Sequence, residues 1–164
     1  MLIKALAMLR RAERAAAIAL LAAIVTVVII GTVFRFAGSP AIWTEEAAQA
    51  SFVWLSFIAA DITLQRSGHF RLDMIVGLLP RKARLALDIL IHLIIGALLL
   101  MLMFYAWKFV QISNLRPLPL IGVPSSFATA ALPVGFALMT ITLVEQIFVA
   151  LSGREAKTEV RDVV

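Results

Sequence analysis

Four long apolar runs, residues 15–34, 47–60, 89–107 and 117–144, are joined by short charged connections in a chain of 164 residues. A bilayer core of about 30 Å needs roughly 20 apolar residues of helix, and three of the runs meet or nearly meet that length unaided. Backbone polar groups in lipid must be satisfied within the spanning element, so open sheet and irregular chain are excluded. A closed barrel would require alternating hydrophobicity, which these runs lack. The expectation is an all-α integral membrane protein of four transmembrane helices with short interfacial amphipathic segments.

Composition agrees. Hydrophobic residues make up 62% and charged residues 15% of the chain, well outside the range of a soluble domain. The net charge of +5 invites a nucleic-acid reading, but the lysines and arginines gather at the ends of the apolar runs, where they mark topology rather than a nucleic-acid face. With no cysteine, thiolate catalysis, disulfide exchange and Cys-ligated metal are excluded.

Lys4, Arg10, Arg11 and Arg14 precede the first run as basic residues precede a secretory signal core. That run is 20 residues long, longer than the roughly 7–15 of a signal core, and Arg35 follows it directly, so a retained anchor is expected. Alternate assignment of the connections puts twelve basic residues on one side and three on the other. The positive-inside rule then predicts cytoplasmic amino and carboxyl termini.

The chain divides into an amphipathic amino-terminal segment 1–14, a membrane domain 15–151 with helices near 16–35, 44–65, 85–110 and 125–150, and a tail 152–164. Between the second and third helices, Phe70, Met74 and Leu78 recur at helical spacing, which predicts a short helix in the headgroup layer. Arg81, Lys82 and Arg84 then stand where anionic phospholipid headgroups would meet them. Three prolines within residues 117–124 forbid a continuous helix there. Ser125 or Ser126 is a candidate cap for the fourth helix, and Pro133 is expected to kink it.

Ionisable groups in or beside the runs need a reason to be there, because each costs about 2.5–3.5 kcal/mol at a helix centre. Asp88 and His92 share one face of the third helix, as a structural pair or a proton relay would. Two histidines and no cysteine leave a zinc site short of ligands. For Asp61 the simple account is a salt bridge to Arg66, Arg81 or Arg84, and the sharper one is a site facing another subunit. Trp43, Thr44, Glu45 and Glu46 read locally as an interfacial helix cap.

Taken together the order is more specific. Trp43-Thr44-Glu45-Glu46, Phe52-Val53-Trp54-Leu55-Ser56-Phe57, Arg66-Ser67-Gly68-His69-Phe70-Arg71-Leu72-Asp73, Leu79-Pro80, Gly122-Val123-Pro124 and Leu132-Pro133-Val134-Gly135-Phe136 resemble the small membrane subunit of TRAP transporters, the DctQ-like family, over residues 15–148. Asp61 departs from the small or apolar residue usual there. The resemblance implies a small, non-substrate-binding scaffold in the bacterial inner membrane. Its partners would be a large multi-spanning, elevator-type membrane subunit, in which sodium binds, and a periplasmic substrate-binding protein, the three together taking up organic acids. No cofactor is implied in this chain.

On this reading Trp43, Glu45, Glu46 and Trp54 form the outer part of the subunit contact, and Arg66, His69, Arg71 and Asp73 order the cytoplasmic part. Glu45 or Glu46 is expected to meet a basic group on the partner or the loop around Arg116. A self-contained proton-coupled exporter acting as a homodimer would want an acidic residue deep in the first run, and residues 15–34 contain none. A membrane enzyme using Asp88 and His92 lacks a nucleophile, metal cluster or paired carboxylate beside them. A structural membrane protein unrelated to transport is the remaining class.

Overall fold

The computed structural model describes residues 2–66 and 81–151. It contains α1 (Leu2–Phe36), α2 (Trp43–Arg66), α3 (Arg81–Ser113), the short α4 (Ser126–Thr129) and α5 (Ala131–Leu151). Four spans, Leu6–Phe36, Trp43–Gln65, Ile89–Ser113 and Ser126–Phe148, are long and apolar enough to cross a membrane. No strand occurs among the described residues, as a chain that must pair its backbone within each span requires.

Neighbours pack as α1 with α2, α2 with α5 and α5 with α3, so the long helices form a row with α1 and α3 at its edges. Cover is correspondingly thin. The most apolar stretch of α1 has none of its residues buried, and that of α5, the best covered, has 22%. Ile58, Leu99, Ala106, Ala131 and Leu143 form the buried apolar core. Two seams are set by glycine. A methyl on Gly31 would lie 2.4 Å from Thr44 Oγ1, and one on Gly135 would lie 2.6 Å from Phe57 Cδ1, so α1 meets α2, and α5 meets α2, at backbone distance.

α1 runs unbroken through the point where the sequence reading divided an amphipathic start from a span. At 1.5 Å per residue its 35 residues extend about 52 Å, more than a hydrocarbon core of about 30 Å. Its first turns therefore continue past the end of the apolar region, beside the end of α2. The fourth span is interrupted at Ala130, between α4 and α5. Pro133, lacking an N–H, cannot bond the Thr129 carbonyl, and the chain uses that gap to change helix.

Candidate functional site

Polar side chains collect at the two ends of the row. At the loop end, where residues 37–42 and 114–125 turn the chain, the three polar residues that open α2 point to three different partners. The Thr44 hydroxyl, on a residue only 4% exposed, donates to the Ala41 carbonyl at 2.7 Å. Glu45 pairs with Arg35 across the α1–α2 turn, both side chains exposed. Glu46 Oε2 accepts from the backbone N–H groups of Leu120 and Ile121 at 2.9 and 3.0 Å.

The expectation that Glu45 or Glu46 meets a basic group or the Arg116 loop thus divides. Glu45 takes a cation of its own chain, and Glu46 takes two amides of the loop. That loop is a tight hairpin-like turn, with Leu118 N–H donating to Val123 O at 2.8 Å and Gly122 N–H to Leu118 O at 2.9 Å. Ser125 occupies the cap position of α4 without a side-chain cap bond. Its hydroxyl instead donates to Arg116 O at 2.7 Å, closing the base of the turn, while the Ser126 hydroxyl bonds Asn114 Oδ1 at 3.0 Å.

Trp54 donates its indole N–H to Phe127 O at 3.0 Å and lies tilted against the Phe127 ring at 6.2 Å, so its polar edge ties α2 to α4. Trp43 is 46% exposed and keeps a free flank at the loop end. Of the remaining sequence candidates, His69, Arg71 and Asp73 lie outside the described residues. So do the side chains of Arg66, Arg81, Lys82, Arg84 and Asp88.

The terminal end, where α1 begins and α5 finishes, holds a network that the sequence reading missed. Asp61 is fully buried and stands 18 residues into α2 after Trp43, about 27 Å along the helix and thus near the far boundary of the apolar core. Its Oδ1 accepts from the Thr142 hydroxyl at 2.7 Å, and its Oδ2 from Gln65 Nε2 at 2.7 Å. Arg10 of α1 reaches across α2, donating to Thr142 Oγ1 at 2.9 Å, pairing with Glu145 and lying 3.8 Å from Asp61 Oδ2. Gln65 also donates to Glu13 Oε2 at 2.5 Å, and Gln146 donates to the Leu64 carbonyl at 2.8 Å.

Of the two accounts offered for Asp61, the site facing another subunit does not stand, because the carboxylate is buried inside the row. The cation described beside it is Arg10, while the side chains of Arg66, Arg81 and Arg84 lie outside the described residues. α1 packs on α2, which brings a residue 51 positions earlier against the aspartate. One signal was present: Leu6, Leu9, Arg10 and Glu13 recur at helical spacing and form one face of α1. The Thr142 hydroxyl accepts from the arginine and donates to the aspartate, so each group is paired by the only partner type it can use. The network fastens three helices. Among the described residues no three acidic or histidine side chains converge to hold a metal ion.

The profile for the DctQ component of tripartite ATP-independent periplasmic transporters matches residues 8–153. The chain is 30% identical to the sialic acid TRAP transporter small permease protein SiaQ of Vibrio cholerae, covering 66% of this chain and 63% of that one. It is 24% identical to the isethionate TRAP transporter permease protein DctMQ of Oleidesulfovibrio alaskensis over 76% of this chain. It is 23% identical to the sialic acid TRAP transporter permease protein SiaT of Haemophilus influenzae over 65%. The chain spans 21% and 17% of those two proteins. With the matched region running through all four spans, the loop-end turn and the Arg10–Asp61 network, the chain belongs to the DctQ family of TRAP transporter components, a family of transporter subunits and not of enzymes, and is a multi-pass bacterial membrane protein.

Proposed function

We propose that this chain is the small, non-substrate-binding scaffold subunit of a tripartite, binding-protein-dependent secondary transporter. It braces a large elevator-type membrane subunit that couples organic-acid uptake to sodium. A periplasmic binding protein delivers the substrate, the chain sits in the inner membrane among phospholipids, and both termini face the cytoplasm. The observation that carries this reading is the thin row of helices: its described buried polar groups cluster at the two ends, while most of its apolar surface is left for lipid or a larger neighbour. Broken helices that meet at mid-membrane around a solute are the usual substrate site of a secondary transporter, and the interruption at Ala130 lies near the loop end instead.

Two relatives many times longer than the matched region carry permease names, which supports a large membrane partner, in both of them within the same chain as the matched region. The basic residues crowded at the terminal end support cytoplasmic termini. Substrate class comes from the relatives' names alone, sialic acid and isethionate both being organic acids.

Reconstitution tests the proposal. Vesicles holding the large subunit with its binding protein are expected to accumulate substrate only when this chain is present, and vesicles holding this chain alone are expected to accumulate none. Uptake of an organic acid by the chain alone would end the scaffold reading. At the loop end, Glu46→Lys removes the acceptor of two backbone N–H groups. Charge-assisted bonds contribute about 1.5–3 kcal/mol, so recovery of the large subunit in a pull-down is expected to fall about tenfold. Unchanged recovery and transport would remove this loop from the contact.

A further inference from the structure

Glu13 stands out among the polar groups of the terminal-end network. The residue is 5% exposed, its Oε2 accepts from the neutral Gln65 amide, and its Oε1 is buried without a hydrogen-bond partner. The same Gln65 nitrogen serves Asp61, so the two carboxyl groups are held side by side by one amide. Among the described residues, the charged groups that act on Glu13 are Arg10 on its own helix and Asp61 on α2, and Glu145 on α5 shares that arginine. Arg11 and Arg14 lie on the exposed side of α1. Arg10 is committed to Thr142, Glu145 and Asp61, which leaves, among the described side chains, one arginine with three acidic groups.

A buried carboxylate without a cation or a full set of donors is strongly unfavourable, and a neighbouring carboxylate makes it more so. A metal ion would relieve this only where several ligands converge, which the described acidic side chains do not do. A proton removes the charge without a set of converging ligands. We propose that Glu13 is a proton-binding site of the membrane domain: its carboxyl group takes one proton from the aqueous side and sits against α2 as a neutral carboxylic acid. The proton removes one of two surplus negative charges and lets the amino-terminal third of α1 lie on Asp61 and Gln65.

The assignment makes no use of the transporter reading and is tested apart from it. Infrared spectra of the purified chain in lipid at neutral pH are expected to contain the carbonyl stretch of one buried carboxylic acid. Glu13→Gln is expected to lose that band entirely while leaving α1 docked, since the glutamine amide can still accept from Gln65. Absence of the band from the unmodified chain, or its persistence at full intensity in Glu13→Gln, would overturn the proposal, the latter because another acid would then hold the proton. If Glu13→Gln cannot be isolated folded, Asp61→Asn decides. Removing the adjacent charge is expected to shift or abolish the band, and an unchanged band would overturn the assignment.

Discussion

Replacing Arg10 with leucine is expected to destabilise the membrane domain by about 3 kcal/mol, because it removes the cation described beside the buried Asp61. The figure belongs at the lower end of the range for broken buried pairs, since the Arg10 side chain is 17% and that of Glu145 is 38% exposed. The Thr142 hydroxyl, which now accepts from Arg10, keeps its bond to Asp61 but loses its donor. Thermal unfolding in detergent should read this as a fall on the order of 10 °C. The double substitution Arg10→Leu with Asp61→Leu removes both charges together, and hydrophobic replacement of a buried pair is often neutral or better. It should therefore recover most of the loss. Two losses that simply add would show that the arginine and the aspartate do not interact, and the network would have to be redrawn.

Arg10 also marks the limit of what the sequence alone could say. The four spans were legible because the bilayer imposes a length on any apolar helix, and no tertiary contact can waive that. The division at residue 15 marks where the apolar run begins, and the helix itself runs through that point. Charges at Arg10, Arg11, Glu13 and Arg14 announce the edge of the apolar core, but neither glycine nor proline interrupts Leu2 through Ile30, so the helix continues through that edge. The Asp61 partner was sought among nearby basic residues because sequence spacing shows only local neighbours. Which helix lies against which is decided by packing, and it brought Arg10 and Thr142 from the two far ends of the chain.

At the loop end the motif Trp43-Thr44-Glu45-Glu46 was recognisable as a unit, but its chemistry was not. A carboxylate beside a helix start looks like a dipole complement in any sequence. Only the folded chain places the Leu120 and Ile121 amides against Glu46 and Arg35 against Glu45. These bonds shape the turn that a partner would meet. The candidate contact residues at that end thus act first as supports for their own chain.

A methyl group added at Gly135 is expected to be nearly as damaging as loss of Arg10. The new carbon would stand 2.6, 2.7 and 2.9 Å from Cδ1, Cβ and Cγ of Phe57, and the Phe57 Cβ moves only with the α2 backbone. Rotating the ring gives no relief, and it would also disturb the edge-to-face contact with Phe136, whose centroid is 5.4 Å away. α5 must therefore back away from α2, opening the seam that joins the two halves of the row. Overpacking of this kind costs about 1–3 kcal/mol, against which the better helix propensity of alanine returns at most about 1 kcal/mol. Gly96→Ala is the control, since its methyl would meet only Leu143 Cδ2, at 3.0 Å, the far end of a flexible side chain that can turn aside. Gly135→Ala should unfold at a clearly lower temperature than the unmodified chain and Gly96→Ala near or above it. Equal unfolding temperatures for the two variants would mean that the close approach of α5 to α2 does not hold the row together.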